Sequence, residues 1–321
     1  MTKFSLLFFQ WLLLIALAPS VSWFIKKMKA VSQNRRGPTL IQVYADLFKL
    51  FQKGMVVSET ASWIFHAMPF ILLTSTFVAA AIIPVLWADS LLGFTGDIIV
   101  FVYLLALGRF FLALAALDTG TAFGGMGSSR EMALSSLGEL ALLLSLFSLG
   151  VYAHAFSFAG IIVHFAGQSP MEVLFFTCLA FGAVLIVTLA ETARIPVDNP
   201  ATHLELTMIH EAMILEYSGK YLALIEWSHQ IKQLIFLSLL ANLFLPWGLL
   251  DASTCLFGGQ ATAALGWSIL VYTAKIFFLA FVVGWIEIHS AKLRLFRVPD
   301  LFAIAFVLAI LSLLGQLMFV R

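Results

Sequence analysis

Eight apolar runs, each close to the ~20 residues a helix needs to cross the hydrocarbon of a bilayer, constrain this chain more than any other feature. They lie at about 4–25, 67–88, 97–117, 133–153, 171–190, 231–250, 264–285 and 301–320. Each is continuous, not alternating, so it reads as a helix and not as a strand of a barrel. Charged residues are only 11% of the chain and hydrophobic residues 62%, whereas a soluble domain carries roughly twice that charge. The expected fold class is all-α: a polytopic membrane protein with eight transmembrane helices, an amphipathic surface helix after the first, and long cytoplasmic loops. The first run resembles a secretory leader as far as Ala16-Leu17-Ala18, but Pro19 follows and the run continues to Ile25. Residues 4–25 therefore read as a retained first span. No internal repeat or low-complexity linker divides the chain, so residues 1–321 read as a single integral membrane domain.

Orientation follows from lysine and arginine. The loop after span 1 carries Lys26, Lys27, Lys29, Arg35, Arg36, Lys49 and Lys53. The loop after span 3 carries Arg130, that after span 5 Arg194 and Lys220 with Lys232 at its edge, and that after span 7 Lys292, Arg294 and Arg297. The loops after spans 2, 4 and 6 carry none. The odd loops are expected in the cytoplasm and both termini outside it. The first odd loop holds a further helical pattern: Leu40, Val43, Tyr44, Leu47, Phe48, Leu50 and Phe51 on one side, Gln42, Asp46, Lys49 and Lys53 on the other. That pattern fits a helix lying along the membrane surface. Arg35-Arg36-Gly37-Pro38 before it reads either as a turn with snorkelling cations or as a basic contact for a docked subunit. A net charge of +1 points to no nucleic acid partner.

The stretch Glu191–Gly219, ETARIPVDNPATHLELTMIHEAMILEYSG, holds five acids, two histidines and an arginine in 29 residues. Pro196 and Pro200 should break a helix near its start. From His203 the pattern turns helical; a continuous helix there would put His203, Thr207 and His210 on one face and Glu205 and Glu216 nearly opposite. Such a helix would sit between an apolar wall and a polar cavity or partner.

Ionisable groups also fall within the apolar runs. Arg109 is near the middle of span 3, Lys275 near the middle of span 7 and Glu139 about two turns into span 4, while Glu191 and Glu287 end spans 5 and 7. A charge at that depth costs at least ~2.5–3.5 kcal/mol, so it is paired or faces water. One reading is a buried pair, such as Arg109 with Glu139, that fixes helix packing. The other is a proton or ion path, which Glu139 and Glu191 fit best. Arg109 and Lys275 stand open between the two.

Several chemistries lack their residues. Cys178 and Cys255 are the two cysteines, too few for an iron–sulfur cluster. The seven histidines lie outside the span centres, which argues against a bis-histidine haem. DTGTAFGGMGSSRE is glycine-rich without the Gly-Lys-Ser/Thr ending of a phosphate loop; it is expected to turn tightly at a docking surface. His203, His210 and Glu211 do not form HExxH, so relay or hydrogen-bonding histidines are favoured over a metal.

RRGPTLIQVYADLFKLF (35–51), GRFFLALAALDTGTAFGGMGSSRE (108–131) and the Glu191–Gly219 stretch together resemble an eight-span membrane subunit family. That family is shared by respiratory complex I, as the H-type subunit of NADH-quinone oxidoreductase, and by the group 4 membrane-bound nickel–iron hydrogenases. The resemblance is nearest the formate hydrogenlyase subunit 4 and hydrogenase-4 component C branch, and it covers essentially the whole chain. It implies a non-catalytic subunit that anchors a soluble redox arm and links electron transfer to proton translocation. Expected partners are hydrogenase-like small (Fe–S) and large subunits on the cytoplasmic side, antiporter-like membrane subunits laterally, and the lipid bilayer. The cell membrane would be a bacterial or archaeal cytoplasmic (inner) one. No cofactor is expected in this chain; iron–sulfur clusters, and a Ni–Fe centre if the large subunit is a working hydrogenase, belong to partners. Glu191, Arg194, Pro196 and Asp198 match the family's E-T-x-R-x-P-x-D pattern, and Glu205 and Glu216-Tyr217-Ser218-Gly219 match later positions. Where complex I commonly shows A-E-x-E-L this chain has Thr202-His203-Leu204-Glu205-Leu206, which argues against a conventional quinone site.

The proton-path candidates are thus Glu139, Glu191, Asp198, Glu205, Glu211, Glu216, His203, His210, Arg109 and Lys275. The docking candidates are Arg35, Arg36, Asp118, Arg130, Glu131 and Arg194. An autonomous secondary transporter, which would favour inverted repeats and broken helices, and a purely structural anchor are the rivals.

Overall fold

A computed structural model describes residues 3–88, 93, 96–167, 174–198, 208–250 and 261–319. Eleven α-helices account for most of them: α1 (Lys3–Ser32), α2 (Leu40–Gln52), α3 (Trp63–Ile82), α4 (Asp97–Asp118), α5 (Ala122–Tyr152), α6 (Phe158–Gly167), α7 (Leu174–Glu191), α8 (His210–Ile214), α9 (Gly219–Phe244), α10 (Ala261–His289) and α11 (Val298–Phe319). Among the described residues there is no strand beyond one isolated bridge, Trp87 to Leu250. Among the described residues six helices are long and apolar enough to cross a membrane: α1, α3, α4, α5, α10 and α11. The chain is a multi-pass membrane protein.

Helix α9 forms the middle of the bundle. It touches α1, α2, α3, α6, α7 and α10, and from Gln230 to Leu243 every residue is buried. On one flank α3, α4 and α5 pack in sequence, and α5 and α7 in turn pack on α11. The lipid-length helices keep large apolar side chains such as Phe70, Tyr103 and Phe278 on the outside, as a helix in hydrocarbon does.

Four polar side chains in the apolar interior are bonded to backbone groups at or near helix ends. The last carbonyls of a helix have no partner within it. Gln10 donates to Ala80 O at 2.7 Å and Ile83 O at 3.1 Å, where α3 ends. Asn242 donates to Pro84 O at 2.8 Å and Val85 O at 2.9 Å, just beyond it. Lys275 donates to Leu245 O, where α9 stops. Asp97 accepts from Phe158 N at 3.1 Å, at the start of α6, where a negative group also suits the helix dipole.

Two expectations about the loops change. The glycine-rich segment contains one tight turn, at Gly120 (φ +67), and α5 is already under way at Ala122, capped by Thr121 accepting from Gly124 N. Gly124 and Gly127 serve close packing. A Cβ on Gly127 would stand 2.9 Å from both Ala212 Cβ and Ile209 O. Gly127→Val is therefore expected to push α8 off α5 and to destabilise the chain by about 1–3 kcal/mol, read as a lower unfolding midpoint in detergent.

A helix continuous from His203 is also absent over the part that is described. Met208 and Ile209 are not helical, and α8 begins at His210. Asp198 Oδ2 accepts from His210 N at 3.2 Å, and Arg130 donates to Met208 O at 2.9 Å. These two side chains take backbone groups that a continuing helix would have paired with itself. His203 and Glu205 lie outside the described residues.

Candidate coupling site

The charged residues of the interior meet where α4, α5, α7 and α9 converge. Arg109 on α4 is 5% exposed. Its Nη1 donates to Glu191 Oε1 at the end of α7, and its Nη2 donates to Glu139 Oε1 on α5. Lys232 on α9 donates to the other oxygen of Glu191 at 2.7 Å. Two acids and two bases thus form one set of zero formal charge. Burial strips several kcal/mol of hydration from each ion, so each needs the partners it has. The pair expected between Arg109 and Glu139 exists, but as one arm of a larger set.

A second set lies beside it. Glu287 on α10 is 3% exposed and takes Lys29 at 3.0 Å and Arg194 at 3.3 Å. Arg194 also donates to Gln233 Oε1 at 2.7 Å. Asp198 takes Lys292 at 2.7 Å. Arg194 and Asp198 lie in the turns that follow the end of α7 at Glu191, where the Ile195–Pro196 bond is cis.

Between the two sets opens a cavity of about 640 Å³ lined by α1, the end of α7, α8 and α9. Lys26, Lys29, Arg194, Lys232, Glu191, Glu211 and Glu226 all contribute to its wall. Glu211 is pushed up from an ordinary 4.5 to about 7, first by burial and then by Glu226 and Asp198, with Lys26 opposing. The folded state therefore binds this proton more tightly than the unfolded chain, and stability falls as pH rises from 4.5 to about 7. Glu211→Gln is expected to raise the unfolding midpoint above neutrality and to match the wild type in acid. The check is a melting series across that range.

The other candidates spread out. Glu131 borders two small voids together with Arg109 and His210, which sets it near the charged set. Glu216 is exposed, while Tyr217 beside it stacks on Phe65 with centroids 4.0 Å apart and donates to Phe65 O. Ser218 bonds both N and O of Val56, at 2.9 Å each, so the EYSG end clasps the 53–57 loop. Asp118 accepts from Ser62 N at 2.7 Å at the start of α3. Arg35 and Arg36 are exposed. Lys275 is bonded to the end of α9 and not to the acids named above. Sequence reasoning missed Lys232, His229 and Glu287's two cations. His229 and Lys232 are three apart on α9, hence on one face, and that spacing was the available signal. Among the described residues no three His, Cys, Asp or Glu side chains gather as a metal site would need.

The NADH dehydrogenase family (NADHdh) matches residues 4–318. Formate hydrogenlyase subunit 4 of Escherichia coli (strain K12) is 32% identical over 313 residues, covering 95% of this chain and 97% of the relative. Hydrogenase-4 component C of the same organism is 36% identical over 241 residues, 74% of each chain. The H-type subunit of NADH-quinone oxidoreductase from Bacteroides thetaiotaomicron is 25% identical over 287 residues, 86% of this chain and 78% of the relative. Among solved structures, a chain of the membrane-bound sulfane sulfur reductase, an archaeal respiratory membrane complex, superposes with a TM-score of 0.79 at 20% identity, covering 97% of this chain and 99% of that one. With the helical bundle and the matched length together, the chain belongs to the NADH dehydrogenase family of the formate hydrogenlyase, hydrogenase-4 and complex I membrane subunits.

Proposed function

We propose that this chain is the membrane-anchor and proton-coupling subunit of a multi-subunit oxidoreductase of the hydrogenase-4, formate hydrogenlyase and complex I kind. The anchor role follows from the family and from the six membrane-length helices. The coupling role rests on one observation: a paired Arg109–Glu139–Glu191–Lys232 set beside a charged cavity, in which the Arg109, Glu191 and Lys232 side chains are at most 10% exposed and Glu139 is 28% exposed. In a low dielectric, a change of charge nearby shifts the proton affinity of such carboxylates strongly. A redox event in a docked partner would supply that change. Protons would then leave or enter Glu139 and Glu191 and pass on to membrane neighbours.

The reading takes α1, α3, α4, α5, α7, α9, α10 and α11 as the eight spans, with both termini outside the cytoplasm and α2 along the membrane surface. The placement of cations among the loops supports it. Arg35 and Arg36, exposed on the turn before α2, would face a soluble Fe–S subunit and its large partner. Antiporter-like subunits would lie laterally. The cavity wall is lined by charges of both signs, which fits the apolar body of a quinone poorly, so no step is routed through one.

The test is Glu139→Gln in the assembled complex, with proton translocation measured per electron transferred in inverted membrane vesicles. Loss of translocation with the complex still assembled supports the reading. A structural anchor is the second reading, favoured by the complete pairing of the charges. It expects Glu139→Gln to lower assembly instead and to leave the proton yield of whatever assembles unchanged.

A further inference from the structure

His210 and His229 stand where the large cavity meets the buried charges. Nε2 of His210 lies 3.0 Å from Nε2 of His229 and 3.4 Å from its Nδ1. The ring centroids are 4.4 Å apart. Both rings line the cavity of about 640 Å³. Both also border a void of about 10 Å³ shared with Arg109, Glu131 and Lys232. His210 alone borders a second void, of about 20 Å³, that reaches Glu191 and Glu131. Each void is near the size that one water requires. Glu191 and Lys232 reach the cavity wall directly, whereas Arg109 and Glu131 border the small voids and not the cavity, so the histidine pair lies between the cavity and Glu131.

Two neutral imidazoles this close share one hydrogen bond, with an N–H on one ring and a bare nitrogen on the other. Burial holds His210 below the ordinary histidine range, with Glu131, Asp198 and Glu226 opposing and Lys232 assisting. The neutral ring that results is the form that accepts a proton. Asp198 fixes its backbone and so its position.

Resting on the coupling role proposed above, we propose that His210 and His229 form a two-imidazole relay that passes protons singly between the cavity and Glu131, which shares the adjoining void with Arg109. A proton from the cavity adds to Nδ1 of neutral His210, and the Nε2 proton of that ring moves to Nε2 of His229. His229 then releases its Nδ1 proton toward the Glu131 carboxylate across the adjoining void. One proton enters and one leaves, no electron moves, and each ring ends in its other neutral tautomer. Tautomer exchange resets the pair.

The test uses the intact complex in inverted membrane vesicles, driven by reduced methyl viologen, with protons translocated per electron read from a pH-sensitive dye. His210→Gln and His229→Gln are each expected to lower that ratio about tenfold or more. In His229→Ala, added imidazole is expected to restore it, which a merely structural histidine would not allow. A ratio within about twofold of wild type in both Gln variants overturns the relay. If Glu139→Gln abolishes translocation while the histidine variants do not, the relay falls and the coupling role stands; if none of them matters, both fall. Where a histidine variant fails to assemble, histidine-labelled ¹⁵N NMR of the wild-type complex decides. A scalar coupling across the two rings supports the shared proton, and its absence overturns the relay.

Discussion

Glu191→Leu is expected to destabilise the folded chain by about 3–5 kcal/mol, the usual penalty for leaving a buried charge without its partner. Glu191 is the acid that both Arg109 and Lys232 hold. Without it, two buried cations face each other with Glu139 as their sole remaining counter-ion in the set. The result should be little assembled complex in the membrane and a low unfolding midpoint for what assembles. The double variant Glu191→Leu/Lys232→Met should recover most of that loss, because it leaves Arg109 with Glu139 as a neutral pair. A double-mutant cycle on unfolding midpoints measures the coupling. Equal losses in the single and double variants would mean that Lys232 is held by something other than Glu191.

This pairing scheme is only partly legible in the sequence. Arg109, Glu139 and Glu191 stand out because a charge within an apolar run demands an explanation. Lys232 does not, since it lies at the edge of a run and reads as the border of a loop. Helix α9 in fact starts at Gly219, and the polar turns before the apolar stretch belong to the same helix. Apolar runs reveal where a helix is in lipid, not where it begins. The same limit hides the role of Arg130 and Glu131. Their position before an apolar run that opens at about 133 suggests a docking loop, but α5 begins at Ala122. One of them then holds Met208 O, and the other faces the interior voids.

The α8 region shows a different limit. Helical spacing from His203 is locally sound, and nothing in that stretch warns that Asp198 and Arg130 capture the backbone on either side of Ile209. Tertiary hydrogen bonds override a local propensity worth only tenths of a kcal/mol per residue. Lys275 is the converse. Its depth in the membrane marks it as unusual, but only the position at which α9 stops, at Phe244, explains it. The membrane class, the family motifs, three of the four central charges and the Arg109–Glu139 pair are readable; that Glu191 and Lys232 join the pair is not.

Arg109→Lys is expected to keep the complex assembled while lowering protons translocated per electron by roughly tenfold to a hundredfold. The guanidinium meets its two carboxylates with separate nitrogens, Nη1 to Glu191 and Nη2 to Glu139. Among the described residues it is the group in contact with both Glu191 and Glu139. An ammonium is a compact point charge without that planar fork, and at this position it can satisfy one carboxylate well and the other poorly. The set keeps its net charge, so the penalty of an unpaired ion does not arise. What is lost is one charge-assisted hydrogen bond of about 1.5–3 kcal/mol, and each ~1.4 kcal/mol is a tenfold change in a proton equilibrium. The measurement is the proton-to-electron ratio beside the yield of assembled complex. A normal ratio would show that Glu139 and Glu191 communicate by another route, and a collapsed yield would show that the fork is needed for folding before it is needed for coupling.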